Sequence, residues 1–524
     1  MAVGLLNRIV PSWKNILLAI LAAILLILAF PDFELWFLAW FALVPLMWAV
    51  EREKASTTKC FLLGWLFGTV FFFGTCWWLT FAPIHYAGFP PLLAYSGMVV
   101  VAVIVGLFPA IFAGILSILL RRLGSWAFLA APFVWVFSEF LRYWVTGNNW
   151  NAIGYSQAFT KTTMRFAEYG GVELVGFICL ISCSAMMAWI SKLTRYFLLC
   201  GIVLVVILAS DLNTIGELRN LNIFEERAWI DGFPSPDATL VAVQPNVPMS
   251  GLDSRQLEEY RRRQVMAAEE KIGPANPDRW PTLAVLPESP MNFMYNDDRE
   301  FQRFIGDFAR RNNVSVLFNS AEPDKGTTKY FNSAVMVGPD GKEVAEYDKI
   351  YLLPFGEAVP APLEGILPGF VGNFAYGREY DLLPVGDAKA GVMICFESHF
   401  GALSREYVRN GADAIIEMTN DGYLGPTPVL RQHLANAVFR AVETNRPVLR
   451  VTNVGITAYI NEKGEVLDPA PTYQEDTRVW SVSKSDGSQT LYVKYGDWFA
   501  WLCTIVTFAL LAVTMRRKVA EARA

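Results

Sequence analysis

Three residues that could together make and break an acyl bond lie far apart in this 524-residue chain, each at the end of a predicted strand. Cys395 closes the apolar run Val392-Met393-Ile394 and is followed at once by Phe396-Glu397-Ser398-His399. Glu288 follows Leu283-Ala284-Val285-Leu286-Pro287, and Lys349 ends the second strand of a hairpin turned by Gly338-Pro339-Asp340-Gly341. A thiol with a pKa of about 8.5 is mostly protonated at neutral pH and needs a base before it can attack. A carboxylate can take that proton, and an ammonium can stabilise both the thiolate and the oxyanion of a tetrahedral intermediate. Strand ends are where open sheets place ligands, so Glu288, Lys349 and Cys395 read as one nucleophilic set. Taken singly each has a plainer reading: a lone cysteine is usually packing, and a Glu or Lys in a turn is usually solvated surface.

Two more carboxylates stand close by in sequence. Glu357 follows Lys349 across Pro354 and Gly356, and Glu397 lies just beyond the nucleophile, where a turn could aim it anywhere. A Cys-His pair is the rival arrangement, drawing on His399 or His433. Four residues is an awkward separation for Cys395 and His399 off a single helix, and no Asn or Asp orienter is identifiable. Helix capping or packing explains both histidines more simply.

The elements that must position these groups belong to a region of ordinary globular composition, about 212–496. Predicted strands are Thr239 to Gln244, Thr282 to Pro287, Ser315 to Asn319, Ser333 to Val337, Glu343 to Lys349, Ala390 to Ile394, Ala414 to Met418, Val448 to Thr452 and Ala458 to Ile460. Helices are predicted at about 254–272, 298–312, 400–410 and 428–444. This alternation favours an α/β layered fold. The Pro/Gly-containing stretch Leu353 to Gly377 is either a covering lid or a plain connection.

The remainder of the chain is far more apolar. Overall 53% of residues are hydrophobic, and the excess lies in runs approaching the roughly 20 residues needed to cross a bilayer. Spans are predicted near 14–30, 34–50, 61–81, 92–120, 126–145, 171–190, 196–210 and 499–515. Basic residues such as Arg52, Lys54, Lys59, Arg121, Arg122, Lys192 and Arg195 fall in alternate connections, against Arg142, Lys161 and Arg165 in the others. The charge bias puts both termini in the cytoplasm and delivers the globular region to the outer side. The first span reads as a retained anchor rather than a cleaved signal peptide. Three parts follow: a seven-helix membrane domain at 1–211, a catalytic domain at 212–496, and an eighth membrane helix with a basic tail at 497–524. A net charge of −5 offers no basic footprint for nucleic acid, and no Cys/His spacing suits zinc, so neither metal nor cofactor is expected.

Glu, Lys and Cys in that chain order resemble the nitrilase superfamily. Reading outward, six runs in order are similar to the apolipoprotein N-acyltransferases of bacterial envelopes: Leu286-Pro287-Glu288-Ser289, Tyr347-Asp348-Lys349, Leu353-Pro354-Phe355-Gly356-Glu357, Cys395-Phe396-Glu397, Thr419-Asn420-Asp421-Gly422 and Arg440 to Pro447. In the apolar region Glu139, Arg142, Gly147, Trp150 and Gly154-Tyr155-Ser156-Gln157 resemble the same pattern. The resemblance implies a bundle of eight transmembrane helices plus a nitrilase-like α-β-β-α sandwich. It implies Glu288 as base, Lys349 as the stabilising cation and Cys395 as nucleophile, with Glu357 fixing the lysine or shuttling a proton and Glu397 in support. Substrate contacts implied are Gln244, Asn246, Asn319, Phe396 and Arg142. Arg142 is read either as part of a polar floor touching lipid head groups or as a plain helix pair with Glu139.

Two features depart from the family. Gln244-Pro245-Asn246 is followed by Val247-Pro248-Met249-Ser250-Gly251-Leu252 where a Lys-Trp pair is common, and the residue after the nucleophile is Phe396 where Tyr is frequent. The function implied is transfer of a fatty acyl chain from a phospholipid, phosphatidylethanolamine being the family's usual donor, to the N-terminal diacylglyceryl-cysteine of an apolipoprotein. The setting implied is the bacterial inner membrane. The alternatives are a membrane-tethered amidase releasing its acyl group to water, and a transporter or scaffold with a degenerate sensing domain.

Overall fold

The computed structural model describes residues 9–31, 33–191, 237–273, 280–288, 294–354, 356–359 and 374–523. The predicted span at 196–210 and the core of the 353–377 stretch fall outside them. The chain divides into two compact units, one of residues 1–221, 427–435 and 495–524, the other of residues 222–426 and 436–494.

The first unit is helical. Among the described residues four stretches are long and apolar enough to cross a membrane: Thr57–His85, Pro91–Thr146, Met164–Ile190 and Trp498–Arg516. A shorter apolar helix covers Trp13–Ala29. The region predicted as a span at 34–50 holds a 3-10 turn, Trp36–Trp40, followed by the helix Val44–Glu53. Ser56 starts the helix Thr57–Cys76 by accepting from Lys59 N at 3.4 Å. Lipid gives helices no hydrophobic reason to associate, so close backbone approach must hold them together. Gly64 and Gly68 supply it: a Cβ on Gly64 would lie 2.4 Å from Pro109 O, and one on Gly68 would lie 2.8 Å from Gly106 Cα. The helix Trp498–Arg523 seats Phe499, Ala500 and Cys503 on Val136 and Phe140.

Among its described residues the second unit holds two six-stranded sheets. The first contains β1 (Ala238–Gln244), β2 (Thr282–Val285), β3 (Ser315–Pro323), β4 (Tyr330–Val337) and β5 (Glu343–Asp348), with the late strand β12 (Asp476–Val482) beside β1. The second runs β6 (Leu382–Val385), β7 (Ala388–Ile394), β8 (Ala414–Thr419), β9 (Val448–Thr452), β10 (Ala458–Ile460) and β11 (Val466–Leu467) in spatial order. β1, β2 and β3 pair in parallel, as do β7, β8 and β9, so their carboxyl ends gather at common edges.

Alternation sorts the faces. Val241, Val243, Ala284, Val316, Phe318, Val335 and Val337 form one core with Val265, Phe301, Ile305 and Phe308 from the helices Ser254–Ile272 and Arg299–Asn312. The opposite face of that sheet carries Asn319, Asn332, Tyr347 and Lys349. Pairing of Asn319 with Ala334, Ala321 with Asn332 and Ala334 with Tyr347 puts these side chains on one surface. Hydrogen bonds from Thr452 to Gln244 and from Tyr347 to Glu397 join that face to the second sheet, making a sandwich with helices outside. The sequence pattern anticipates nine of these strands and misses β6, β11 and β12.

Candidate active site

Cys395 begins a 3-10 turn, Cys395–His399, directly after β7, with a φ of +53°. A non-glycine residue in this left-handed region stores strain that the surrounding structure must hold. Here it turns the chain sharply away from the strand and presents the thiol at the sheet edge. Glu397 holds the turn shut by accepting from Ile394 N at 2.9 Å. Its other oxygen accepts from Ile350 N at 2.7 Å, Tyr351 N at 3.0 Å and the Tyr347 hydroxyl at 2.8 Å. A fully buried carboxyl with four donors thus ties the residues just after Lys349 to those around Cys395.

Lys349 is 1% exposed. Its Nζ lies 2.8 Å from Glu357 Oε1 and 3.7 Å from Glu288 Oε1. Glu357 accepts further from Asn332 Nδ2 at 2.6 Å and, through Oε2, from Leu353 N at 2.7 Å. Glu288 accepts from Asn332 Nδ2 at 3.1 Å and faces the Cys395 thiol, which hydrogen-bonds to it. Burial raises the Glu288 pKa against the pull of Lys349, and the neighbouring Glu357 charge raises it further. Burial also pushes the Cys395 thiol well up, reinforced by Glu288 and opposed by Lys349 and a hydrogen bond from Thr419. For Lys349 burial works against the charge, yet Glu357 and Glu288 outweigh it and the ammonium is held firmly protonated. Burial lifts Glu397 to about 7 against Lys349 and its own donors. The set can therefore hold a neutral thiol against a carboxylate able to take its proton, with a fixed cation alongside.

Beneath the thiol, Arg450 on β9 is fully buried and pairs with Glu417 on β8, its register partner, and with Asp421 at 2.9 Å. The other sequence-derived candidates are placed differently. Gln244 is buried with its amide engaged by Pro471 O, Gln474 O and Thr452. Asn246 has a φ of +52° and donates its N–H to Asn453 O at 3.0 Å. Asn319 donates to Asn332 and to Ser333 O, not into open space. Phe396 stacks on His399 at 5.7 Å, so that histidine is packed on the turn's aromatic cluster. Arg142 and His433 lie in the first unit. There Arg142 is buried and donates to Trp150 O at 2.7 Å and Asn149 Oδ1 at 2.9 Å, fixing the turn after its helix, while Glu139 Oε1 accepts from Ile153 N at 2.8 Å. His433 packs near the Trp150 ring.

Sequence reading overlooks Asn332 and Arg450, and names Tyr347 only within the run that ends on Lys349. Asn332 lies one residue before the predicted start of its strand, and extending that strand's alternation outward would have set it beside Lys349. Among the described residues no group of three or more His, Cys, Asp and Glu side chains is placed to hold a metal ion.

Comparison with known proteins fits both units. Residues 22–185 match the apolipoprotein N-acyltransferase N-terminal domain, and residues 239–491 match the carbon-nitrogen hydrolase domain. The amidase from Nesterenkonia sp. is a solved structure similar to part of the chain, with 15% identity and a TM-score of 0.37 over 50% of this chain and 94% of that one. An apolipoprotein N-acyltransferase of Pasteurella multocida is 27% identical, covering 95% of this chain and 94% of the relative. One from Geobacter metallireducens is 30% identical over 96% of both chains. With likeness at that level running through the helical and the sandwich units alike, this chain belongs to the apolipoprotein N-acyltransferase family.

Proposed function

We propose that this protein transfers a fatty acyl chain from a phospholipid to the α-amino group of the N-terminal diacylglyceryl-cysteine of an apolipoprotein, through a thioester on Cys395. The observation that carries the reading is the convergence of Glu288, Lys349 and Cys395 from three separate strand ends in a chain whose described residues include four membrane-length apolar helices.

In the first step Glu288 takes the Cys395 proton as sulfur attacks the ester carbonyl carbon. The tetrahedral oxyanion forms against the Lys349 ammonium. Collapse breaks the acyl carbon–oxygen bond, Glu288 returns its proton to the glycerol oxygen, and a lysophospholipid leaves. In the second step the lipoprotein amine attacks the thioester, loses a proton to Glu288 and expels the thiolate, which is reprotonated as the amide forms. One site serves donor and acceptor alternately, which gives ping-pong kinetics. Glu357 is assigned to holding Lys349, because its oxygens already accept three hydrogen bonds. Glu397 is assigned to fixing the two strand ends together.

The membrane setting supports transfer over hydrolysis. Both substrates carry acyl chains that sit in a bilayer, and an enzyme anchored in the same bilayer can meet them laterally. Within this reading the chain crosses the inner membrane eight times, carries domains at 1–211, 212–496 and 497–524, and faces the periplasm with residues 212–496 while both termini stay cytoplasmic. Phosphatidylethanolamine is the donor, and Phe396 lines the site.

Intact-protein mass spectrometry after incubation with phospholipid, beside a Cys395→Ala control, tests the scheme. A fatty-acyl increment on the wild type alone, discharged into a diacylated lipopeptide, is the expected result. Discharge only into water would make the protein a hydrolase, and absence of both increment and lipopeptide acylation would end the enzymatic reading.

A further inference from the structure

We propose that Asn332 is a positioning residue that binds Glu288 and Glu357 into one unit around Lys349, and that Asn319 decides which end of the Asn332 amide faces them. The inference rests on the reading of Glu288 as the base that activates Cys395.

Strand geometry puts the three polar side chains together. Asn332 lies across from Lys349, whose N–H donates to Asn332 O at 2.9 Å. Asn319 and Asn332 are diagonal neighbours on the same face, since Asn319 pairs with Ala334 and Ala321 with Asn332. Both asparagines are buried. The Asn332 amide nitrogen reaches Glu288 Oε1 at 3.1 Å and Glu357 Oε1 at 2.6 Å, so its two N–H bonds serve two different carboxylates.

An asparagine amide has nearly the same shape in either orientation, and only its partners distinguish oxygen from nitrogen. The direction here is set in sequence from a group that cannot donate. Ser333 O is a carbonyl, and Asn319 Nδ2 donates to it at 3.0 Å. The same nitrogen donates to Asn332 Oδ1 at 2.6 Å. With its oxygen occupied by Asn319, Asn332 can turn only N–H bonds toward the carboxylates.

The arrangement answers an electrostatic difficulty. Two carboxylates share one ammonium in a buried site, and like charges held this close drive one of them to take a proton. A protonated Glu288 cannot act as a base. The Asn332 N–H that Glu288 accepts favours the ionised form of Glu288 without adding a charge. The titratable groups facing Glu288 are Lys349 after β5, Glu357 on the loop beyond it and Cys395 after β7; Glu397 acts on Lys349, and Asp421 and Arg450 act on Cys395.

Substitution at Asn319, which touches neither carboxylate, separates this role from simple packing. In Asn319→Asp an ionised side chain has no proton to give, which withdraws the donor that fixes the Asn332 oxygen and competes with Glu288 and Glu357 for the two Asn332 N–H bonds. The experiment is the pH dependence of Cys395 alkylation by iodoacetamide, read by peptide mass spectrometry on the full-length protein in detergent. Asn332→Ala and Asn319→Asp are expected to move the acid limb upward by about 1 pH unit or more, slowing alkylation roughly 10-fold on that limb. Asn319→Ala, which leaves Asn332 free to keep its orientation, moves it less. Thermal melting checks the fold. Should Asn319→Asp fail to fold, Asn332→Ser against Asn319→Ala gives the same comparison.

An unchanged acid limb in folded Asn332→Ala or Asn319→Asp, or in folded Asn332→Ser where that variant stands in, overturns the proposal. Because alkylation uses no lipid, a shifted limb in a protein that acylates no lipopeptide would sink the transfer reading and leave this one standing. An acid limb that Glu288→Gln fails to alter would remove Glu288 as the base, and this inference with it.

Discussion

Lys349 is held by Glu357 rather than by the carboxylate that faces the thiol, its Nζ lying 2.8 Å from Glu357 Oε1 and 3.7 Å from Glu288 Oε1. The unequal distances separate the two acids. Glu357 is saturated by donors and anchors the cation, whereas Glu288 keeps acceptor capacity toward Cys395. Removing the base therefore costs more than removing the anchor. Glu288→Gln should lower the rate of acyl-enzyme formation by about 10²–10⁴-fold, the usual worth of a positioned base. Glu357→Gln replaces the ion pair with Lys349 by a neutral hydrogen bond, a loss of about 1.5–3 kcal/mol, and should cost roughly 10–100-fold. Single-turnover labelling with phospholipid measures both, and equal losses would contradict the division of labour.

The same pair gives a pH signature. Transfer requires ionised Glu288, so kcat/KM falls as pH drops through a pKa held above the ordinary glutamate value by burial and by Glu357. Glu357→Gln removes a negative neighbour, which makes ionisation of Glu288 easier, and the acid limb of the surviving activity should move to lower pH. The titration belongs to the coupled set, so the limb reports the cluster as a whole. A limb that moves upward would show that lost restraint on Lys349 outweighs the removed charge.

Glu397 links stability to pH. Its folded pKa of about 7 lies above its unfolded value of about 4.3. Between those values the folded state binds the proton more tightly, so this group's contribution is full below the lower value and declines as pH rises toward the higher one. Wild-type melting temperature should carry that slope, and Glu397→Gln should flatten it. Glu397→Ala orphans four donors, each costing about 1–3 kcal/mol when left buried, and is expected to be too unstable to purify folded. A stable alanine variant would mean the turn at Cys395 holds itself.

Strand ends were the readable part of this site. The runs before Glu288 and Cys395 are apolar and short, and the hairpin turn before Lys349 carries its own glycine signal, so local pattern places all three groups. Asn332 escapes because Lys329-Tyr330-Phe331-Asn332 mixes charge, aromatic and polar residues, which hides three residues of real strand. Glu397 shows a different limit. Its spacing from Cys395 suggests a shared face, but the positive φ at Cys395 reverses the chain, and no residue pattern announces strain on a cysteine. In the helical unit the apolar runs are plain, yet hydrophobicity alone does not give local form, and the 34–50 run folds as a 3-10 turn and a helix where one continuous helix reads most simply. Strands β6, β11 and β12 lie toward sheet edges, where one-sided burial leaves a weak signal.

Helix contact in the first unit can be tested at one carbon atom. A Cβ at Gly64 would meet Pro109 O at 2.4 Å and Ala110 Cα at 2.9 Å, both backbone atoms that cannot rotate away. Gly64→Leu should lower the detergent melting temperature and the yield of folded protein, while Gly97→Ala, where nothing lies within 4 Å, should be silent. Equal tolerance at the two positions would show that these helices separate easily.

Arg450 joins stability to the site from below. Its guanidinium is fully buried between Glu417 and Asp421, and Asp421 is one of the charges that raises the Cys395 thiol. Arg450→Met leaves two buried carboxyls without their cation, and breaking a buried pair typically costs about 3–5 kcal/mol. Part of that loss is avoided if the carboxyls take up protons, so the variant should be most defective at high pH and partly recover as pH falls. Arg450→Lys keeps the charge but loses the fork that reaches both acids, and should fall between the two. Chemical denaturation at two pH values reads the difference. A stability deficit in Arg450→Met that does not change with pH would assign the residue to packing, and its guanidinium would then have no electrostatic part in holding the floor of the site.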